Sequence, residues 1–407
     1  MMTARIYHGW WIVGACLLAA MVGNALGLFG AGVYLRVITT STGWPTGIVS
    51  GAVTLFYVVS AVLLIPVGSG IGRFGPRLFV AVGGVAMAVG VAGLAHVSAP
   101  WHVYLLFPLM GIGWACLSTT AVATILAPWF EKYQGRAVSI ASLGASAGGM
   151  MGPPLLLLAI DRFGFMRATS LAAAIALATL LPLALFVLRR RPEDIGLSPD
   201  GLPGAQDNQN SHQSKWNRAD ALRTSALRTT MIAFGFGMSV QIGLLTHQVT
   251  LLAQTLSTNM VAATVSATAI AALIGRLGLA NFADRIDARS TSSGAFIVAA
   301  ISFCVLAATD NPIALIGASV LFGLTVGNIT TLSPIIVRRE FGASAFGPIY
   351  GVASCVIQLV TSLGPGLYGI MHDAWGSYRG ALLVAAALDT IAAIVIVQGR
   401  QREVAFS

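Results

Sequence analysis

Twelve blocks of mostly apolar residues, each near the roughly 20 residues a helix needs to cross a bilayer, divide this chain, with short polar segments between them. They begin near Trp10, Thr46, Leu78, Val103, Ala137 and Ala168, and again near Thr229, Val261, Gly294, Ile313, Gly347 and Gly380. Between the sixth and seventh blocks the pattern breaks. From Arg189 to Arg228 the chain is rich in Gln, Asn, Ser and Pro, which predicts a flexible linker with a short amphipathic helix near Trp216 to Leu227. The pattern predicts an all-α polytopic membrane protein. Its twelve transmembrane helices form two six-helix bundles, residues 1–190 and 229–407, joined by a cytoplasmic linker over 191–228.

Composition agrees. Of 407 residues only 9% are charged, against about 25% in a soluble domain, so most of the outer surface is expected to face lipid. The 46 glycines fit helices that approach closely through small side chains. Cys16, Cys116, Cys304 and Cys355 each fall inside an apolar block, without a CxxC pair or a His/Cys cluster, so neither a disulfide framework nor a metal site is expected. The first block, Gly9 to Leu35, is too long for a signal-peptide core and lacks an Ala-x-Ala site after it, so it is expected to stay as a span.

The net charge of +9 is distributed between the blocks. With a cytoplasmic N-terminus, 18 of the basic residues fall on the inner side and four (Arg36, Arg162, Arg167 and Arg379) on the outer side. The positive-inside rule therefore puts both termini in the cytoplasm, in a bacterial inner membrane, and reads the charge as orientation rather than as a nucleic-acid surface. An internal repeat supports two related halves. Gly152-Pro153-x-Leu155-x5-Asp161-x2-Gly164-x2-Arg167 returns 212 residues later as Gly364-Pro365-x-Leu367-x5-Asp373-x2-Gly376-x2-Arg379, and the same offset carries Arg73 and Arg77 onto Arg285 and Arg289.

Ala283-Asp284-Arg285-Ile286-Asp287-Ala288-Arg289 and its counterpart Gly68-x3-Gly72-Arg73-Phe74-Gly75-Pro76-Arg77 resemble the cytoplasmic loop signature of the major facilitator superfamily. The resemblance implies pseudo-symmetric halves and a gate of charge pairs, with Asp284, Arg285, Arg289, Arg73 and Arg77 as gating candidates; Gly72 stands where the family has Asp. A finer resemblance covers nearly the whole chain. Gly9-Trp10-Trp11-Ile12-Val13, Gly43-Trp44 with Ser50, Trp129-Phe130-Glu131-x4-Arg136-Ala137, Gly152-Pro153-Pro154, Glu340-Phe341-Gly342 and Gly364-Pro365-x3-Gly369-x3-Asp373-x2-Gly376-x-Tyr378 are similar to the monocarboxylate transporter and oxalate:formate antiporter families.

Arg276, in the eighth block, carries the most information. Arg stays charged, and hydrocarbon charges roughly 3 kcal/mol for it on insertion scales, so it must face a cavity or a partner. Its paired donors match a carboxylate, and the resembling families hold a substrate arginine at this place. Snorkelling towards the inner gate, eight residues ahead at Asp284, is the competing reading. Two departures bear on coupling. Ala272 stands where animal monocarboxylate transporters have an acid, and neither the first nor the eleventh block contains Lys. One intramembrane cation suits a monoanion better than oxalate.

For a proton, His247 in the seventh block and Asp389 in the twelfth are the candidates at depth, with a hydrogen-bonding or structural role open for each. Asp161 and Asp373 are expected to cap helices or to pair with Arg167 and Arg379. Asn24, Tyr57, Gln241, Asn328 and Phe322 are candidate pocket residues beside Arg276 and His247. The expected function is secondary active transport of a small monocarboxylate with H+ by alternating access, with anion exchange or efflux of a larger compound as alternatives. No nucleotide-binding motif, nucleophile–base set or cofactor site emerges, so an enzyme is not expected; the partners are a small organic anion, H+ and lipid, and the fold family implies a monomer.

Overall fold

In hydrocarbon, backbone N–H and C=O groups must be satisfied within the protein, and helices do this inside each segment. The computed structural model describes residues 7–131, 133–188, 192, 196–201, 218–282 and 287–399, and among them helix is the regular structure throughout, with no strand. Among the described residues, twelve helices are long and apolar enough to cross a membrane. In chain order these are α1 (His8–Thr42), α2 (Thr46–Phe74), α3 (Pro76–His96), α4 (Pro100–Leu126), α5 (Gln134–Phe163), α6 (Phe165–Val187), α7 (Ser225–Leu252), α8 (Thr258–Leu279), α9 (Ala288–Ala308), α10 (Pro312–Phe341), α11 (Ile349–Trp375) and α12 (Arg379–Gln398). A short helix, Arg218–Arg223, precedes α7 inside the expected linker.

The chain forms two compact units. The first is Met1–Val37 with Leu55–Asn208; the second is Ile38–Thr54 with Gln209–Ser407. The end of α1 and the first turns of α2 thus belong with the C-terminal helices. In the first unit a core of Ile12, Cys16, Leu117, Trp129 and Phe130 packs α1 against α4 and the α4–α5 connection. In the second, Phe234, Phe296, Leu332, Ile357 and Ile396 join α7, α9, α10, α11 and α12.

On α12 small residues predominate inside and large ones face outward, as a lipid solvent permits. On α12 the buried positions include Ala381, Ala385, Ala386, Ala392 and Ala393, whereas Leu383, Ile391, Ile394 and Val397 are exposed. Glycines let backbones touch: a Cβ on Gly144, Gly148 or Gly152 of α5 would meet Leu17, Met21 or Ala25 of α1. Two repeat-related glycines serve turns. Gly164 (φ 77°) ends α5 and Gly376 (φ 68°) ends α11, a region that side chains with a Cβ rarely enter.

Several helices are interrupted. A π-turn over Asn24–Leu28 bulges α1. Ser118 starts a new helical segment within α4, its hydroxyl accepting from the Ala121 N–H. In α11 the helix breaks at Leu363, and a second segment begins at Gly364–Pro365.

Candidate substrate and coupling site

Helices α8 and α10 approach more closely than side chains allow. A Cβ on Gly323 would meet the Thr268 carbonyl, one on Gly327 the Ala272 carbonyl, and one on Gly275 the Leu324 carbonyl. The Gly323-x3-Gly327 spacing places both glycines on one face of α10, and this contact holds Arg276 beside Thr330. Arg276 Nη2 donates to Thr330 Oγ1 at 3.4 Å, a long bond. Its Nε is buried and finds no acceptor among the described residues. A guanidinium has five N–H donors in a planar fork, so a half-buried cation stands here with most of its hydrogen-bonding capacity unused. An unsatisfied buried charged donor is costly, and a carboxylate is the group that satisfies it best.

Thr330 is a residue that sequence reading passed over. It sits in the Asn328-Ile329-Thr330 triplet, and the i, i+3 relation to Gly327 was the available signal. Asn328 lies roughly 160° round the helix from Thr330, and its buried Oδ1 has no partner among the described residues. Gln241 of α7 is likewise buried with Oε1 unpartnered among them. Phe322 is fully buried against Phe303 of α9, with ring centres 5.5 Å apart, in the core of the second unit.

His247 occupies a different place. Its ring is fully buried on α7; Nε2 lies 3.0 Å from the Pro365 carbonyl and Nδ1 3.0 Å from the Tyr378 hydroxyl. A carbonyl only accepts, so Nε2 carries a hydrogen, and Nδ1 of the neutral ring accepts from Tyr378. Burial raises the Tyr378 phenol above its ordinary range, which keeps that hydroxyl a donor. The Tyr368 ring stacks on His247 at 5.8 Å. Both imidazole nitrogens are occupied, and His247 joins α7 to the second segment of α11 and to the start of α12.

Asp389 of α12 is 1% exposed, and its Oδ1 has no partner among the described residues. In the first unit, Asn24 spends its Nδ2 on the Ala20 carbonyl at 2.8 Å within the π-turn region. Tyr57 is buried, its ring edge-on to Phe56.

The gating candidates divide. Asp284 and Arg285 lie outside the described residues. Arg73 stacks over Phe74, 5.1 Å from the ring centre, and Arg77 Nε donates to the Leu188 carbonyl at 2.8 Å. Arg289 is buried and forks onto Glu340, Nε to Oε1 at 2.6 Å and Nη2 to Oε2 at 2.9 Å. It also donates to the Ile396 and Ala226 carbonyls, so one side chain ties α9 to α10, α12 and α7 inside the second unit. Of the two roles expected for Asp373, capping a helix or pairing with Arg379, the second is not seen: Arg379 Nη2 donates to Asp310 at 2.6 Å, while Asp373 caps the first turn of α2. The reason is geometric, since the turn at Gly376 separates them and the carboxylate of Asp373 accepts from the backbone of α2.

The sequence pattern of the Major Facilitator Superfamily matches residues 15–290 and 229–404. The chain belongs to this superfamily. Human monocarboxylate transporter 11 is 39% identical over 128 residues, 30% of this chain and 27% of that protein. The chain thus spans about a quarter of the length of the human and mouse forms of that transporter. Bovine monocarboxylate transporter 13 is 26% identical over 331 residues, covering 79% of this chain and 73% of its own. The fujikurins efflux protein of Gibberella fujikuroi is 32% identical over 136 residues, 33% of this chain and 28% of its own. In fold, the chain is similar to a crystal structure of a bacterial homologue of the human lysosomal transporter Spinster (TM-score 0.73, 14% identity, 98% of this chain and 100% of that one). By name, each of these relatives is a transporter, an efflux protein or a homologue of a transporter.

Proposed function

We propose that this transporter moves a small monocarboxylate, of the size of lactate or pyruvate, together with a proton by alternating access, in a bacterial inner membrane with both termini cytoplasmic. It works as a monomer in lipid. The observation that carries this reading is Arg276: a half-buried cation in a spanning helix whose Nε has no acceptor among the described residues and whose Nη2 has only a long bond to Thr330. A carboxylate would accept the Nε–H and one terminal N–H of the guanidinium as a parallel pair, with Thr330 as a neighbouring hydroxyl. The proton balances the anion, so the loaded carrier crosses without net charge. Of the two groups named for coupling, Asp389 has an oxygen without a partner among the described residues, whereas His247 would first have to give up the Tyr378 or the Pro365 contact.

The test is uptake of labelled lactate and pyruvate into proteoliposomes under an inward proton gradient, by the native chain and by Arg276→Ala and Arg276→Lys. Gradient-driven uptake, lost in Arg276→Ala and strongly weakened in Arg276→Lys while both variants elute as the native chain does, supports the reading. Uptake that Arg276→Ala leaves unchanged removes Arg276 from the site. Exchange of one organic anion for another is the second reading, favoured by the same cation with no lysine in α1 or α11; counterflow without a pH gradient identifies it. Absence of monocarboxylate flux in both assays turns the function towards efflux of a larger compound.

A further inference from the structure

The first turn of α2 needs an acceptor that its own sequence does not provide. The free N–H groups at a helix start are usually met by a Ser, Thr, Asp or Asn at the position before it. Thr224 does this for α7, Asp287 for α9 and Asn311 for α10. Before α2 stands Pro45, which has no polar side chain, and the first turn carries no acid. The acceptor comes from the other end of the chain. Asp373 Oδ1 accepts from the Thr46 N–H at 3.1 Å and Oδ2 from the Gly47 N–H at 2.6 Å.

The arrangement is reciprocal. The second segment of α11, Gly364–Trp375, has its own free N–H groups at its start, and Gly366 N–H donates to Thr54 Oγ1 of α2 at 2.9 Å. Between these two bonds Gly369 lies so close to Ser50 that a Cβ there would collide with its hydroxyl. Residues 366, 369 and 373 on one helix and 47, 50 and 54 on the other form one face each, so the two segments run antiparallel and cap each other over two turns. Asp373 is about a third exposed, with His372 Nδ1 at 3.3 Å from its Oδ1.

We propose that Asp373 is a proton-released latch between the start of α2 and the end of α11. An ionised carboxylate accepts at both oxygens; a protonated carboxyl keeps one good acceptor and turns a hydroxyl donor towards the second N–H. Protonation and full capping of α2 therefore exclude each other, and the negative charge that suits a helix N-terminus is lost in the same step. The titratable and charged groups around Asp373 are His372 on its own helix, His247 on α7, and Tyr378 with the Asp310-paired Arg379 at the start of α12; Thr46, Gly47, Ser50 and Thr54 of α2 contribute none. The ring of His372 lies 4.3 Å from that of Tyr378, which bonds His247, so the latch is continuous with the buried histidine. Under the proposed function the latch is where an arriving proton would free α2; the inference itself concerns only the seam and holds for any substrate.

The test reads the seam rather than transport. Thr46 is buried, so Thr46→Cys, in a chain whose four native cysteines are replaced by Ala, reports its opening to a polar maleimide. Rates are divided by those of Ser41→Cys, an exposed position in the last turn of α1, which cancels the effect of pH on the reagent. At about pH 7.5 we expect Asp373→Asn to speed labelling roughly ten-fold, the scale of a lost charged cap. With Asp373 intact, relative labelling rises on going to about pH 4, the ordinary range in which aspartates take up protons, and Asp373→Asn removes that rise. Thr54→Val, which leaves the charge in place, loosens the seam while keeping the pH response. Equal labelling with Asp373 intact and in Asp373→Asn, in proteins that elute identically, overturns the latch, and a pH-independent rate with Asp373 intact overturns its release by protons. Failure of monocarboxylate uptake would leave these rates unaltered, so the two readings fail separately.

Discussion

Arg289 offers the prediction whose size can be worked most fully from the structure. Its guanidinium meets the Glu340 carboxylate with two short parallel bonds and gives further hydrogens to the carbonyls of Ala226 and Ile396, at 2.9 and 2.7 Å. Arg289 is 3% exposed and the Glu340 side chain 21%, so solvent screens the pair little. Removing one partner of such a pair costs about 3–5 kcal/mol, because the other charge is left without its counterpart. Arg289→Met should therefore lower the thermal midpoint of the purified protein by about 10 °C, taking roughly 2–4 °C per kcal/mol for a unit of this size. Arg289→Lys keeps the charge but cannot make the fork, and should lose about 1.5–3 kcal/mol.

The assay is the fraction that remains monodisperse on gel filtration after heating. Glu340→Leu and the double variant Arg289→Met with Glu340→Leu complete a cycle. The double variant should lie above the sum of the singles by about 2 kcal/mol, yet below the native protein, since the two carbonyls still lose their donor. Because Glu340, Ala226 and Ile396 all sit with Arg289 in the second unit, the residue acts as a clamp that keeps α7, α9, α10 and α12 together. Additive single effects, or a large change in transport rate with the midpoint unmoved, would refute the clamp and restore a pair that breaks during transport.

Four other substitutions separate the roles of the remaining residues. Gly327→Leu pushes a side chain into the Ala272 backbone, which cannot yield without parting α8 from α10; we expect it to abolish uptake and lower the thermal midpoint, whereas Gly351→Leu, at a position where a Cβ meets open space, should do neither. Tyr378→Phe removes the donor to His247 and should cost about 1 kcal/mol of stability, read as a small drop in thermal midpoint. Asp389→Asn keeps the shape of a buried side chain while removing its titration; if Asp389 carries the coupled proton, gradient-driven uptake falls at least about ten-fold while counterflow persists.

The spans were legible because a membrane span is written locally. Each needs only its own run of apolar residues, and all twelve blocks became helices of spanning length. The repeat was legible for the same reason, and Gly164 and Gly376 of the repeat both stand at positive φ at the end of a helix. Arg276 could be singled out because its charge is expensive anywhere in hydrocarbon. What could not be read was which acceptor each polar group meets. Asp373 was expected to cap a helix or to pair with Arg379, but the helix it caps lies more than 300 residues away, and the pairing of Arg289 with Glu340 spans 51 positions.

Even so, long-range partners leave a local trace, and it is a trace of absence. A helix that opens on Trp44-Pro45-Thr46-Gly47 has no side chain of its own to cap it, although its N–H groups need acceptors as much as those of α7, α9 and α10, which bring their own. Such a start leaves its N–H groups to water or to another segment, and at α2 the carboxylate of Asp373, at the far end of an antiparallel neighbour, supplies the acceptor. The first turn of α2 is thus met by a contact, and a contact that a proton can weaken makes the packing of that turn conditional. By this reasoning Pro45→Asp, which gives α2 an acid of its own before the first turn, should hold Thr46 and Gly47 without help from α11. It should cut the labelling difference that Asp373→Asn produces to less than about two-fold. An undiminished difference would mean that Asp373 secures the seam by something other than capping.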